Sequence, residues 1–117
     1  MQGLGELESA VMDVLWRGDG DRTVRDVLDE LSQERELAYT TVMTVLDNLH
    51  RKGWVERVKV SRAFHYRAVM TRAEAEARAL RAVLESTDDP ESVLLHFAQS
   101  ATEEEASVLR KALRKRR

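Results

Sequence analysis

Apolar residues recur at three- and four-residue steps along most of this 117-residue chain, the spacing of helices that bury one face. Leu4, Leu7, Ala10, Val11, Val14 and Leu15 predict a first helix from about Glu6 to Arg17, and Gly18-Asp19-Gly20-Asp21 ends it as a turn. Val24, Val27, Leu28 and Leu31 form the apolar face of a second helix, with Thr23 and Asp26 as its capping signal. A third helix runs from about Tyr39 to Lys52, turning Val42, Val45, Leu46 and Leu49 inward and stopping at Gly53. The period then changes. Trp54 to Val60 and Phe64 to Val69 are rich in strand formers, and the short link Ser61-Arg62-Ala63 makes them a hairpin of open turn type.

Three more helices follow, each with its own start signal. Thr71 with Glu74 is a capping box, Asp89-Pro90 places a capping residue before a first-turn proline, and Thr102 with Glu105 is another box. Helix, helix, helix and hairpin is the order of a winged helix-turn-helix, with the link from Glu34 to Ala38 joining helices two and three. The expected fold is mostly α with a small β-hairpin: a winged helix over residues 1–70 and a three-helix segment over 71–117. That segment presents Leu80, Val83 and Leu84, then Leu94 and Phe97, then Leu109 and Leu113, among many alanines. About 45 residues of this kind are too few to bury a core alone. Burial against a second copy, as a C-terminal helical dimerisation domain, is the simplest remedy. Packing back onto the winged helix is the other.

Composition narrows the setting. The absence of cysteine excludes disulfides and thiolate metal sites and favours a reducing compartment. No apolar run approaches the roughly 18 residues of a membrane span, and Met1-Gln2-Gly3-Leu4-Gly5-Glu6 lacks the basic start and apolar core of a signal peptide. A cytoplasmic, nucleoid-associated protein with no direct membrane insertion is expected. The net charge of −2 hides an asymmetry: −6 over residues 1–36, +5 over residues 37–72 and −1 over the remainder. A local basic block is the electrostatic footprint that double-stranded DNA needs. His50, His65 and His96 fall in three different elements, so neither a metal site nor a cofactor is expected. No nucleophile–base pair or phosphate-cradling loop is present, and Trp16 and Trp54 suit core anchors. The chain does not read as an enzyme.

At about 100° per residue, Thr40, Thr44, Asp47 and Arg51 lie opposite the buried stripe of the third helix, with Thr41, Met43 and Asn48 on its shoulders. Small hydroxyls and a methionine near the start of such a helix suit base edges and thymine methyls in a major groove. Thr40, Thr44 and Met43 are therefore candidate base contacts. Arg51, Lys52, Arg57, Lys59, Arg62 and Arg67 cluster where phosphates would run, with Arg62 at the hairpin tip. Asp47 is awkward there: it either accepts from a cytosine amino group or pairs with Arg51 at i+4, and the local pair is the expectation.

Leu4-Gly5-Glu6-Leu7-Glu8 with Val11-Met12-Asp13-Val14-Leu15-Trp16, then Ala38-Tyr39-Thr40-Thr41-Val42-Met43-Thr44-Val45-Leu46 and Arg51-Lys52-Gly53, resemble the penicillinase repressor family of the BlaI/MecI type. The resemblance spans nearly the whole chain. It implies a homodimeric repressor on a palindromic operator, controlling β-lactamase or related genes. Thr40, Thr41, Met43 and Thr44 match the family's base-contacting helix, and Tyr39, Arg51, Lys52, Lys59 and Arg62 are the accompanying backbone candidates. Uncharged residues stand here where some relatives carry Lys or Arg. Some relatives are cut at an Asn-Phe bond through a membrane sensor-protease pathway; the matching bond here is His96-Phe97.

Two other classes compete: a winged-helix module that binds protein, and a regulator that releases DNA on binding a small molecule in a pocket. Salt dependence separates the first. If three or four cations engage phosphates per subunit, a dimer titrated on a palindromic probe shows a log–log salt slope of roughly −5 to −7. A slope near zero removes the phosphate clamp.

Overall fold

The computed structural model describes residues 4–116, so the start Met1-Gln2-Gly3 and the last tail residue, Arg117, lie outside it. The chain divides into two compact units, with the boundary between Arg78 and Ala79. The element order is α1 (Glu6–Arg17), α2 (Val24–Leu31), α3 (Tyr39–Arg51), β1 (Val55–Val60), β2 (Ala63–Ala68), α4 (Arg72–Ser86), α5 (Pro90–Ser100) and α6 (Glu103–Arg114). This is a winged helix followed by three helices, the expected class.

The first unit is built on the apolar stripes of α1, α2 and α3. Val11, Val14, Val27, Val42, Leu46 and Leu49 are fully buried, and so is Met12, which the helical spacing alone did not single out. Caps fix where these helices begin. Thr23 accepts from the Asp26 amide while Asp26 takes the Thr23 N–H, and Thr71 with Glu74 repeats the exchange ahead of α4. Trp54 is buried, whereas Trp16 is only partly so; its indole N–H donates to the Met70 carbonyl at 3.0 Å.

The link between α2 and α3 runs from Ser32 to Ala38, longer than the expected Glu34–Ala38. The amides of Glu34 and Arg35 both return to the Leu31 carbonyl, so the chain turns on itself before Leu37 packs against the core. At the other end of α3 the stop is a Schellman motif. The Trp54 amide reaches the Leu49 carbonyl at 3.0 Å and the Gly53 amide the His50 carbonyl at 3.1 Å, with Gly53 at φ +85°.

The hairpin is antiparallel, with Val55 opposite Ala68 and Val60 opposite Ala63. Its loop is therefore the two residues Ser61 and Arg62; Ala63, assigned to the link from the sequence, is the first residue of β2. Ser61 takes φ +60° and Arg62 does not, the pattern of a type II′ turn, which matches the twist of paired strands. Arg22 adds a one-residue bridge on the other side of β2, exchanging backbone hydrogen bonds with Tyr66 at 2.9 and 2.8 Å.

In the second unit, caps rather than burial define the helices. Asp89 accepts from the Ser92 amide ahead of Pro90, and Thr102 and Glu105 form a full capping box. No residue of α5 or α6 is buried. Apolar side chains are nonetheless plentiful on both.

The positive φ at Gly53 yields a direct test. Gly53→Ala puts a Cβ into a left-handed conformation although nothing lies within 4 Å of it. The variant is expected to lose about 1 kcal/mol of unfolding free energy through backbone strain alone, read from the urea midpoint at unchanged slope.

Candidate nucleic-acid interface

Helix α3 has a plain start. Ala38, extended at its N-cap, offers no side-chain oxygen, so no side chain caps the first amides of the helix. Tyr39 stands there, 43% exposed, with the Arg25 guanidinium carbon 5.4 Å from its ring centre. Burial of Val42, Val45, Leu46 and Leu49 then sets the rotation of the helix. Thr40, Thr41, Met43 and Thr44 are consequently exposed together on its first turn and a half, as the period implied.

The cations divide into two groups. Lys52, a backbone candidate, points its ammonium at both carboxylate oxygens of Glu8, at 2.8 and 2.9 Å, and only 27% of its side chain is exposed. It ties the end of α3 to the first turn of α1. Arg67 pairs with Glu56 across the hairpin, and Arg72 pairs with Asp13 beside the Trp16 ring. Lys59 and Arg62 form the open group, with Arg51 between the two. Arg51 is well exposed although its Nε lies 3.5 Å from Asp47 and its Nη2 meets Asn48. Lys59 and Arg62 carry no ion pair among the described residues, and Arg62 sits in the hairpin loop.

Asp47 holds the expected i+4 partner, Arg51, and a closer one. Arg57 Nη1 of β1 lies 3.2 Å from Asp47 Oδ1, so the hairpin is strapped to the outward stripe of α3. Charge along the chain places Arg57 in the basic cluster and gives no hint of this link. A signal existed in the strand period: alternation sets Arg57 on the same face as buried Val55 and opposite Tyr66, facing the protein. Glu8 is a second residue that the sequence reasoning missed. Its carboxyl accepts the Gly5 amide at the start of α1, which with Lys52 holds it below the usual carboxylate range.

Three helices, the last with an exposed outer face, followed by a basic hairpin define the winged-helix class of DNA-binding module. A family model described as penicillinase repressor matches residues 4–115. The transcriptional regulator BlaI of Mycobacterium tuberculosis is 42% identical over 113 residues, spanning 94% of this chain and 82% of that protein. The solution structure of the DNA binding domain of the repressor BlaI superposes with a TM-score of 0.55 at 26% identity, over 63% of this chain and 93% of that one. Bacillus licheniformis BlaI, solved in monomeric form in complex with the blaP half-operator, gives 0.52 at 26% identity, over 62% and 88%. The chain belongs to the penicillinase repressor family, whose members are transcriptional regulators rather than enzymes.

Glu8 gives this surface a pH signature. A depressed carboxyl stabilises the fold above the ordinary carboxylate pKa, and that stabilisation disappears as pH falls through the depressed value. Glu8→Gln is therefore expected to be about 1 kcal/mol less stable than wild type at neutral pH. The gap should close in acid, as read by paired denaturant titrations across the range.

Proposed function

We propose that the protein represses transcription as a homodimer on a palindromic operator, with one winged helix on each half-site. Thr40, Thr41, Met43 and Thr44 contact bases, while Tyr39, Arg51, Lys59 and Arg62 contact the backbone. Lys52 contributes by tying the end of α3 to α1, and it reaches phosphate only by leaving Glu8. The observation that carries the reading is the exposed pair of surfaces on one helix and one hairpin: neutral readers on the first turns of α3, open cations at its end and on the wing. The half-operator bound by the Bacillus relative supports the choice of DNA as partner.

The dimer reading rests on the helices after Met70, taken as a dimerisation domain over residues 71–117. Leu80, Val83, Leu94, Phe97, Leu109 and Leu113 are each between 44% and 63% exposed, and Leu84 is half-buried. So much apolar surface on an otherwise charged chain is what a symmetric partner covers. The proposal extends to regulated genes of the β-lactamase class and to a membrane sensor-protease pathway, a reading that membership of a penicillinase repressor family supports. Cutting before Phe97 would divide α5 and detach α6, removing part of that apolar surface. No helix among the described residues is long and apolar enough to cross a membrane.

Sedimentation tests the assembly. Wild type is expected to be a dimer at micromolar concentration, and Phe97→Asp a folded monomer whose operator affinity falls on the order of 100-fold or more as avidity disappears. A wild-type monomer would overturn the dimer. Genome-wide footprinting, with flanking genes checked for a β-lactamase and a sensor-protease, identifies the operator. Induced cells that keep the chain intact while the target gene turns on would exclude cleavage.

A further inference from the structure

We infer that Arg57 is a positioning residue for sequence selectivity: by joining Asp47 on α3 to Phe64 and Tyr66 on the hairpin, it fixes the wing relative to the reading helix. This rests on the DNA-binding reading above and adds a division of labour among its cations.

Several interactions converge on this one guanidinium. Nη1 lies 3.2 Å from Asp47 Oδ1, and the guanidinium carbon stands 4.2 Å from the centre of the Phe64 ring. Tyr66, 2% exposed, is the residue opposite Arg57 in the hairpin. Phe64 and Tyr66 pack edge to face at 6.3 Å, so the strap ends on a ring pair rather than on a loose side chain. The Arg57 side chain is 26% exposed, against 69% for Arg51.

Geometry separates the strap from a phosphate clamp. A guanidinium stacked on one ring and bonded to a carboxylate has its charge and its planar fork already engaged. Asp47, in turn, sits on the same outward stripe as Thr40 and Thr44, where an unpaired carboxylate would repel phosphate. Arg51 and Arg57 cover it from two sides. The base-reading turns of α3 and the open cations Lys59 and Arg62 therefore belong to parts of the fold that Arg57 couples. With the strap cut, the wing can still reach phosphate, but no longer at the angle that seats Thr40 and Thr44 on their bases. Selectivity falls while electrostatic attraction is kept.

The test uses the full chain, a duplex selected by the wild-type protein from a random-sequence library, and a scrambled duplex of the same composition. Arg57→Gln is expected to weaken the selected duplex about 10-fold and the scrambled duplex by less than about twofold, with the salt slope unchanged. Arg62→Gln is expected to weaken both duplexes alike and to lower the slope by about 0.9 for each phosphate left unneutralised. Asp47→Asn should reproduce the Arg57→Gln defect, and the double variant should be no worse than either single. Arg57→Lys and Phe64→Leu, which leave the net charge unchanged, should both lose selectivity because the planar stack is gone; they also serve if Arg57→Gln fails to fold by thermal melt. The inference is overturned if Arg57→Gln lowers the slope as Arg62→Gln does and weakens both duplexes equally, or if Arg57→Lys and Phe64→Leu keep full selectivity. A wild-type protein that shows neither selection nor salt dependence removes the DNA-binding reading itself, and the inference falls with it.

Discussion

Burial of Val42, Val45, Leu46 and Leu49 on one side of α3 is the constraint that the rest of the interface follows. A helix advances about 100° per residue, so a slip of one position would turn Met43 inward and bring a core residue to the surface. Four apolar side chains, each worth about 1.5–3 kcal/mol when buried, make that slip prohibitive. The outward position of Thr40, Thr44, Asp47 and Arg51 is thus a consequence of what lies on the opposite side. The Schellman turn at Gly53 then directs the chain from the end of α3 into β1, which brings Arg57 within reach of Asp47.

Ion pairs give the positive block a structure that its summed charge conceals. Of the seven cations between residues 37 and 72, Lys52, Arg57, Arg67 and Arg72 are engaged with Glu8, Asp47, Glu56 and Asp13. These pairs link α3 to α1, α3 to the wing, the two strands to each other, and α4 to α1. Exposed pairs contribute little stability individually, so the stability of the fold does not explain them. The cations left open, Lys59, Arg62 and the weakly held Arg51, lie on the hairpin and at the end of α3. In the proposed function the open cations attract the DNA backbone, and the paired ones tie together the elements that carry them.

The second unit obeys another logic. Asp89, Thr102 and Glu105 delimit α5 and α6 through strong caps, so these helices are specified locally even though neither buries a residue. Local signals start a helix; burial decides whether it stays part of a stable fold. Apolar side chains of α4, α5 and α6 stay exposed among the described residues, and the proposed function assigns a second copy to them.

Element type and order were legible in the sequence because they depend on short-range physics. Helical and strand periods, the boxes at Thr23, Thr71 and Thr102, and the glycine stop at Gly53 all act within a few residues of one another. The exposed stripe of Thr40, Thr41, Met43 and Thr44 followed from the same period, as did the pairing of Asp47 with Arg51 one turn away. Tertiary structure decided the remainder. That Lys52 meets Glu8, 44 residues earlier, that Asp47 has a second partner in Arg57, and that Ala63 belongs to β2 rather than to the turn depend on how helices and strands approach one another. Charge and propensity along a chain set which residues can pair; only the packing of distant elements brings one of those partners within hydrogen-bonding distance and leaves the others in water.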